Sequence, residues 1–259
     1  MQKFYYLIEL QFLGFRYHGW QKQPDVKTVQ KMVEQTLTYI LRHDDFKTLG
    51  ASRTDAMVSA NNYGMELFVN KPVKTDKLLK SLNNNLPADI RALSIKEVSE
   101  QFNIIQSPKV KEYVYLFSFG EKYHPFSAPF MTHINGDLDI DKMKTAASIF
   151  VGEHNFSAFT HKPSKEATLY REVLSCDIQV NDLFTANFFP EMSYLMRVRG
   201  QGFSRHQVRL MMGALFDLGR GKLERSDIVE ALNAEGISRH ISEMAPAPGL
   251  ILNRLEIEA

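Results

Sequence analysis

The 259-residue sequence has a single cysteine, Cys176, so it can hold no intrachain disulfide and no cysteine-rich metal site. A lone thiol suits a reducing compartment. No apolar run reaches the roughly 18 residues of a membrane span. The N-terminal stretch from Met1 to Ile8 also lacks the charged, apolar and cleavage regions of a secretory leader, so the expectation is a cytoplasmic protein with no membrane association. An excess of positive charge is missing too, because 31 Lys and Arg face 30 Asp and Glu for a net charge of +1. Any polynucleotide would have to be held by local clusters of cations, with the acids segregated elsewhere. The chain shows no P-loop, no paired-histidine metal motif, no dinucleotide-binding glycine pattern and no internal repeat, and neither a metal nor a cofactor is expected. What is present is ordinary globular composition, 44% hydrophobic and 24% charged, in a chain long enough for one large domain or two smaller lobes.

Against that background one stretch stands out: Leu49-Gly50-Ala51-Ser52-Arg53-Thr54-Asp55-Ala56-Met57-Val58-Ser59-Ala60. Its apolar residues suggest partial burial, yet Arg53 and Asp55 lie among them, and unpaired charge is costly there. Ser, Thr and Asp favour turns, so the stretch reads as a loop that carries a carboxylate into a partly apolar site. A carboxylate held beside a cation serves as a nucleophile or general base. It serves equally as half of a structural ion pair that pins a turn. Upstream, Phe15-Arg16-Tyr17-His18 and Trp20-Gln21-Lys22-Gln23 interleave aromatics with cations, a pattern that suits either a polynucleotide surface or a hydrophobic plug around the only tryptophan.

Ser52-Arg53-Thr54-Asp55-Ala56-Met57-Val58-Ser59-Ala60 resembles the G-R-T-D-A-G-V-H-A loop of the TruA family of tRNA pseudouridine synthases, departing from it at Ser52, Met57 and Ser59. Gly14, Tyr17, Gly19, Trp20, Gln21 and Gln23 match that family's Y-D-G-x-x-Y-x-G-W-Q-x-Q signature, with Leu13 in place of its Asp. Thr28-Val29-Gln30, the segment Asn85 to Ile90, Gly152 to Phe159, Gly200 to Leu215 and the closing Ala245 to Leu252 resemble further family blocks in the family's order. Where the family reads F-H-A-R, this chain has Phe102-Asn103-Ile104-Ile105, and a basic contact is missing.

Along the chain, strands are expected over 3–12, 63–69, 90–98, 111–117, 171–180 and 193–199, with a last strand after Gly249. Helices are expected after Thr28, from Thr75, from Asp139 or Asp141 to Val151, after Ser204 and over 224–232. The polar stretch 161–168 reads as an exposed loop. In the helix after Ser204, Val208, Met211, Met212, Leu215, Phe216 and Leu218 line a buried side that Arg209 shares, with Arg205 one turn earlier. Two arginines placed so need anionic partners.

The resemblance implies an α+β fold of two similar lobes, residues 1–105 and 106–259, forming one continuous, mainly antiparallel sheet flanked by helices, with the active-site cleft between the lobes. It implies a homodimer that converts uridine to pseudouridine in the tRNA anticodon arm, at positions 38 to 40. Asp55 would be the catalytic carboxylate, Arg53 a substrate-positioning residue, Tyr113 the ring against the target base, and Arg209 the arginine that approaches the aspartate. Arg16, Lys22 and Arg205 are the further candidates for RNA contact. Two other readings keep the scaffold: a synthase for a different RNA, and a non-catalytic RNA-binding protein. The departures at Leu13, Met57, Ser59 and Asn103 motivate both.

Overall fold

The computed structural model describes residues 3–163, 169–234 and 239–257, so from Ser164 to Thr168 the stretch expected as a loop lies outside the described residues. In chain order the elements are β1 (Phe4–Phe12), α1 (Val29–Leu41), β2 (Phe46–Gly50), β3 (Ser59–Val69), α2 (Thr75–Asn85), β4 (Ile90–Val98), β5 (Pro108–Gly120), β6 (Thr132–Asn135), α3 (Ile140–Ala147), β7 (Gly152–Asn155), β8 (Tyr170–Val180), β9 (Tyr194–Gly200), α4 (Gln207–Gly219), α5 (Arg225–Asn233) and β10 (Leu250–Ile257). No helix among the described residues is long and apolar enough to cross a membrane. The fold is α+β and its strands pair mainly antiparallel.

The chain divides into two compact units, one of residues 1–109 with 252–259 and one of residues 110–251. The closing strand, expected in the C-terminal lobe, thus belongs from Leu252 onward to the first unit, where it lies beside β3.

In the first unit the strand order is β4-β1-β3-β10, and β2 also pairs with β3. β1 sits between two antiparallel neighbours, with Ile8 opposite both Met65 and Ile95. A strand paired on both sides buries most of its side chains, which is why Tyr6, Leu7, Ile8, Leu10 and Phe12 are all buried. α1 starts at its expected cap, the Thr28 hydroxyl accepting from the Lys31 N–H at 3.3 Å. β2 falls partly in the stretch expected as a loop. Only five residues long and half-buried, it has too little alternation to be read from sequence.

Leu7, Ala51, Ile104 and Leu255 form a buried cluster in this unit, with Leu49, Val98, Phe102 and Ile257 packed against it. Each fully buried Leu or Ile side chain in such a cluster contributes about 1.5–3 kcal/mol. Glu66 lies inside the same unit, buried, its Oε2 accepting the Ile104 N–H at 3.2 Å while Oε1 is buried without a hydrogen-bond partner among the described residues. Burial pushes its carboxyl above the ordinary glutamate range, although the Ile104 bond and the Lys47 charge oppose it. With the folded value above the unfolded one, the carboxyl's contribution to stability is complete at acid pH and is lost as pH rises through the folded value. Glu66→Gln keeps an acceptor for Ile104 and removes the charge. Its melting temperature is expected to match the parent in acid and to exceed it increasingly towards neutral pH, and a constant difference across that range would show that Glu66 is not the titrating group.

In the second unit the order is β5-β9-β8-β7, with short β6 parallel to β5. α4 is buried on nearly every side, and Phe216 sets its ring edge against Tyr115 and Phe117 of β5 at 6.0 and 5.2 Å. α3 begins at Asp139, whose Oδ1 accepts the Lys142 N–H at 3.0 Å, and tightens over Ser148–Phe150 before Gly152 opens β7. Ser204 does not cap α4. The cap is His206, in the left-handed region at φ 62° without a side-chain cap bond, and Arg205 lies in the turn before the helix.

Candidate active site

Asp55 sits in the short connection between β2 and β3, half-buried, while Arg53 is exposed. The segment after β1 fixes that connection by its backbone. The Trp20 N–H donates to the Thr54 carbonyl at 3.3 Å and the Met57 N–H to the Tyr17 carbonyl at 2.9 Å. The Gly14 N–H donates to the Ser59 hydroxyl at 2.9 Å, and the Val58 N–H closes the turn onto the Asp55 carbonyl at 3.2 Å. Two glycines permit this approach. A Cβ on Gly14 would lie 2.0 Å from the Val58 carbonyl oxygen, and one on Gly19 would lie 2.3 Å from that of Thr54. Gly19 also has φ +82°, a conformation open to glycine.

The aromatic and basic residues of 15–22 serve as the support for this clamp. Trp20 is buried, its ring 4.1 Å from Tyr63, and the Tyr63 hydroxyl donates to the Ser52 carbonyl. Tyr17 is buried and donates to Asp89 Oδ1 at 2.6 Å, while Arg16 meets Asp89 Oδ2 at 2.6 Å. Burial pushes the Asp89 carboxyl up, but the Tyr17 and Arg16 hydrogen bonds and the guanidinium charge outweigh it and hold it below the usual carboxylate range. Lys22 pairs with Glu34 at 2.8 Å. Arg16 and Lys22, expected at RNA, therefore each carry a carboxylate partner. Both side chains remain about 60% exposed (61% and 60%), so the pairs are weak ones that a phosphate can compete for.

Two departures from the family loop have a structural explanation. Met57 occupies the family's glycine position at φ 67°, a left-handed conformation that costs a non-glycine residue roughly 1–2 kcal/mol. Met57→Gly is expected to melt no lower than the parent although it loses a half-buried side chain. Met57→Val, β-branched at positive φ, should melt about 2–4 °C lower for each kcal/mol lost. Equal melting of all three would show that the turn is not strained. Ser59, which stands where the family has a histidine, is buried, and its hydroxyl accepts the Gly14 N–H. An imidazole there would have to displace its neighbours. The Asn103 side chain accepts the Ile105 and Gln106 N–H groups at 2.9 and 3.4 Å, closing a turn that buries Ile104 and exposes Ile105.

In the second unit Tyr113 stands on β5, opposite Val198 of β9, buried and edge-on to Phe203 at 5.4 Å. Phe203 escaped the sequence reading as a site residue. Its only signal was its place in Gly200-Gln201-Gly202-Phe203, where a Cβ on Gly200 would lie 3.1 Å from the Phe203 ring. Arg209, on the first turn of α4, donates from Nε to the Ala245 carbonyl at 2.8 Å, and the Ala245 N–H returns to the Arg209 carbonyl at 3.1 Å. The neighbouring Pro246 carbonyl accepts from the Tyr115 hydroxyl at 2.7 Å, so the closing Ala-Pro segment orients both residues. Tyr115, whose hydroxyl also bonds Thr132 Oγ1 at 2.8 Å, is buried, and burial pushes its phenol up. Arg205 is exposed, and its carbonyl accepts the His161 N–H at 3.0 Å. Among the described residues no group of three or more His, Cys, Asp or Glu is arranged to hold a metal ion.

A family model described as tRNA pseudouridine synthase matches residues 146–256. A protein of Bacillus cereus named tRNA pseudouridine synthase A 2 is 32% identical over 97% of this chain and 98% of its own. A Listeria monocytogenes protein named tRNA pseudouridine synthase A is 32% identical over 98% of this chain and 99% of its own. A chain of the archaeal box H/ACA sRNP Nop10-Cbf5 complex aligns with 80% of this chain over 45% of its own length, at 15% identity and a TM-score of 0.33. By its near-full-length similarity to the two bacterial synthases, the chain belongs to the TruA family of tRNA pseudouridine synthases.

Proposed function

We propose that this protein isomerises uridine to pseudouridine in tRNA, with Asp55 as the essential catalytic carboxylate. The observation that carries the reading is a half-buried aspartate on a loop whose backbone is held on both sides of it, at Thr54 and Met57. Holding a reactive group in one geometry is what lowers the barrier to a reaction that must break and remake a bond to the same ribose. The base leaves the ribose, rotates and reattaches through carbon, and Asp55 either attacks the ribose or removes its proton. Tyr113 stacks on the base once it has left its own stack, Arg53 positions the RNA around it, and Arg209 is the family's arginine for the catalytic carboxylate. Arg16, Lys22 and Arg205 contribute phosphate contacts.

Within tRNA the target is the anticodon arm at nucleotides 38 to 40, and the active form is a homodimer in the cytoplasm. A catalytic role is favoured over pure RNA binding because Met57 and Ser59 are accommodated without disturbing the clamp on Asp55. The test is to incubate purified protein with a panel of unmodified tRNAs and unrelated RNA hairpins and to map pseudouridine at each uridine. Modification confined to the anticodon arm supports the reading, modification of another RNA alone shifts the substrate, and no modification of any RNA defeats it.

A further inference from the structure

One carboxylate of the first unit serves two partners of opposite exposure. Asp89 stands just before β4, and its own carbonyl accepts the Leu13 N–H at 3.0 Å, which ties its backbone to the chain after β1. Oδ1 accepts the hydroxyl of buried Tyr17 at 2.6 Å. Oδ2 accepts from exposed Arg16, from Nη2 at 2.6 Å and from Nε at 2.9 Å. Tyr17 is also the residue whose carbonyl takes the Met57 N–H, two positions after Asp55, while its own N–H donates to the Gly14 carbonyl at 2.8 Å. Its backbone is thus tied at both groups, and the Asp89 bond is the third anchor, at the far end of the ring.

The two bonds of the carboxylate are unequal. The Tyr17 bond is buried and charge-assisted, and breaking it strands a buried hydroxyl. The Arg16 pair lies largely in solvent, where an ion pair contributes little. Arg16 can therefore turn to a phosphate, which its planar fork fits, while Tyr17 keeps Oδ1. Burial first, then the Asp89 bond and charge, push the Tyr17 phenol up, and the Arg16 charge opposes them. Departure of the guanidinium removes that opposition and leaves the carboxylate charge to the hydroxyl beneath the loop.

We infer that Asp89 is a positioning residue for the Asp55 loop, acting through Tyr17, and that it gives up Arg16 to a backbone phosphate when tRNA binds. One side chain then links a contact on the RNA backbone to the support of the reactive loop. The inference rests on the functional reading given above.

The experiment uses full-length Tyr17→Phe, Asp89→Ala, Asp89→Asn and Arg16→Gln proteins, and the Arg16→Gln, Asp89→Asn double variant, on an unmodified tRNA transcript. Single-turnover rates at saturating enzyme report positioning whatever fraction of the protein is folded, and affinities are compared at one salt concentration. Tyr17→Phe and Asp89→Ala are each expected to slow the saturated rate by about 10- to 10²-fold, the scale of a catalytic group displaced by up to about 1 Å. Asp89→Asn still presents an oxygen to Tyr17 and recovers most of that loss. It also removes the charge that holds Arg16, so it binds tRNA about 2–5-fold more tightly than the parent. That gain disappears when Arg16→Gln is the background. Parental saturated rates in Tyr17→Phe and Asp89→Ala would overturn the inference and leave the function standing. So would an Asp89→Asn protein as slow as Asp89→Ala, or an affinity gain that is absent or survives Arg16→Gln. If Asp89→Ala does not fold, Tyr17→Phe decides the rates alone. A parent that does not modify tRNA would instead defeat the functional reading on which the inference depends.

Discussion

Asp55→Asn is expected to reduce pseudouridine formation by about 10³-fold or more while tRNA affinity changes by less than about tenfold. The fall corresponds to roughly 4 kcal/mol of transition-state stabilisation. Asparagine has nearly the same shape as aspartate. The hydrogen bond that closes the turn uses the Asp55 backbone carbonyl, not its side chain, so the loop should keep its course. What is lost is the negative oxygen that attacks or takes a proton. Single-turnover assays with the purified variant, paired with a melting curve, separate chemistry from folding. A variant that forms pseudouridine at the parental rate would remove Asp55 from the mechanism.

Gly19→Ala is expected to be almost as damaging, although residue 19 has no side chain and touches no substrate in the proposed mechanism. The added methyl would lie 2.3 Å from the Thr54 carbonyl oxygen and 3.1 Å from the Asp55 carbonyl carbon. No flexible side-chain end is available to give way, so the loop backbone must move. A displacement of the order of 1 Å in a catalytic group costs about 10²-fold in rate. Positive φ adds strain to the folded state, so melting should also fall by about 2–4 °C per kcal/mol. The kinetic signature is a loss in kcat larger than any rise in KM, with binding of tRNA largely retained. Parental kcat in a folded Gly19→Ala protein would show that the contact between residues 19 and 54 does not position Asp55.

The elements that were legible in the sequence are those whose pattern is long or whose terminus has its own chemistry. β1, β4, β8 and β9 follow runs of apolar and β-branched residues, and Thr28 and Asp139 mark helix starts with the side-chain oxygens that cap them. β2 and β6 escaped because five and four residues are too few to show a period. α4 was expected to begin after Ser204 and begins after His206, since a left-handed cap leaves no residue-type signature when it is not glycine. Asp55 could be found because a carboxylate in a small-residue, partly apolar loop is unusual. The role of the 14–22 segment could not be found the same way. An aromatic run with two cations looks alike whether it meets RNA or the underside of a loop, and the Tyr63 ring that holds Trp20 under the loop lies more than forty residues away in sequence.

The return of the last strand to the first unit has a consequence for how the chain is made. β2 pairs only with Met65–Val69 of β3. The earlier part of β3, which follows directly on the Asp55 loop, gains its second neighbour from β10, with Asn61 donating to Asn253 at 2.8 Å and the Leu255 N–H to Asn62 at 3.3 Å. Leu255 also completes the buried cluster around Leu7 and Ala51. A nascent chain emerging from the ribosome therefore carries an open strand edge beside its reactive loop until β10 appears. The 142 residues of the second unit, 110–251, are continuous and can close before the unit that precedes them is finished. Synthesis order and completion order are reversed, and no truncated translation product ending before Leu252 has the finished support for Asp55.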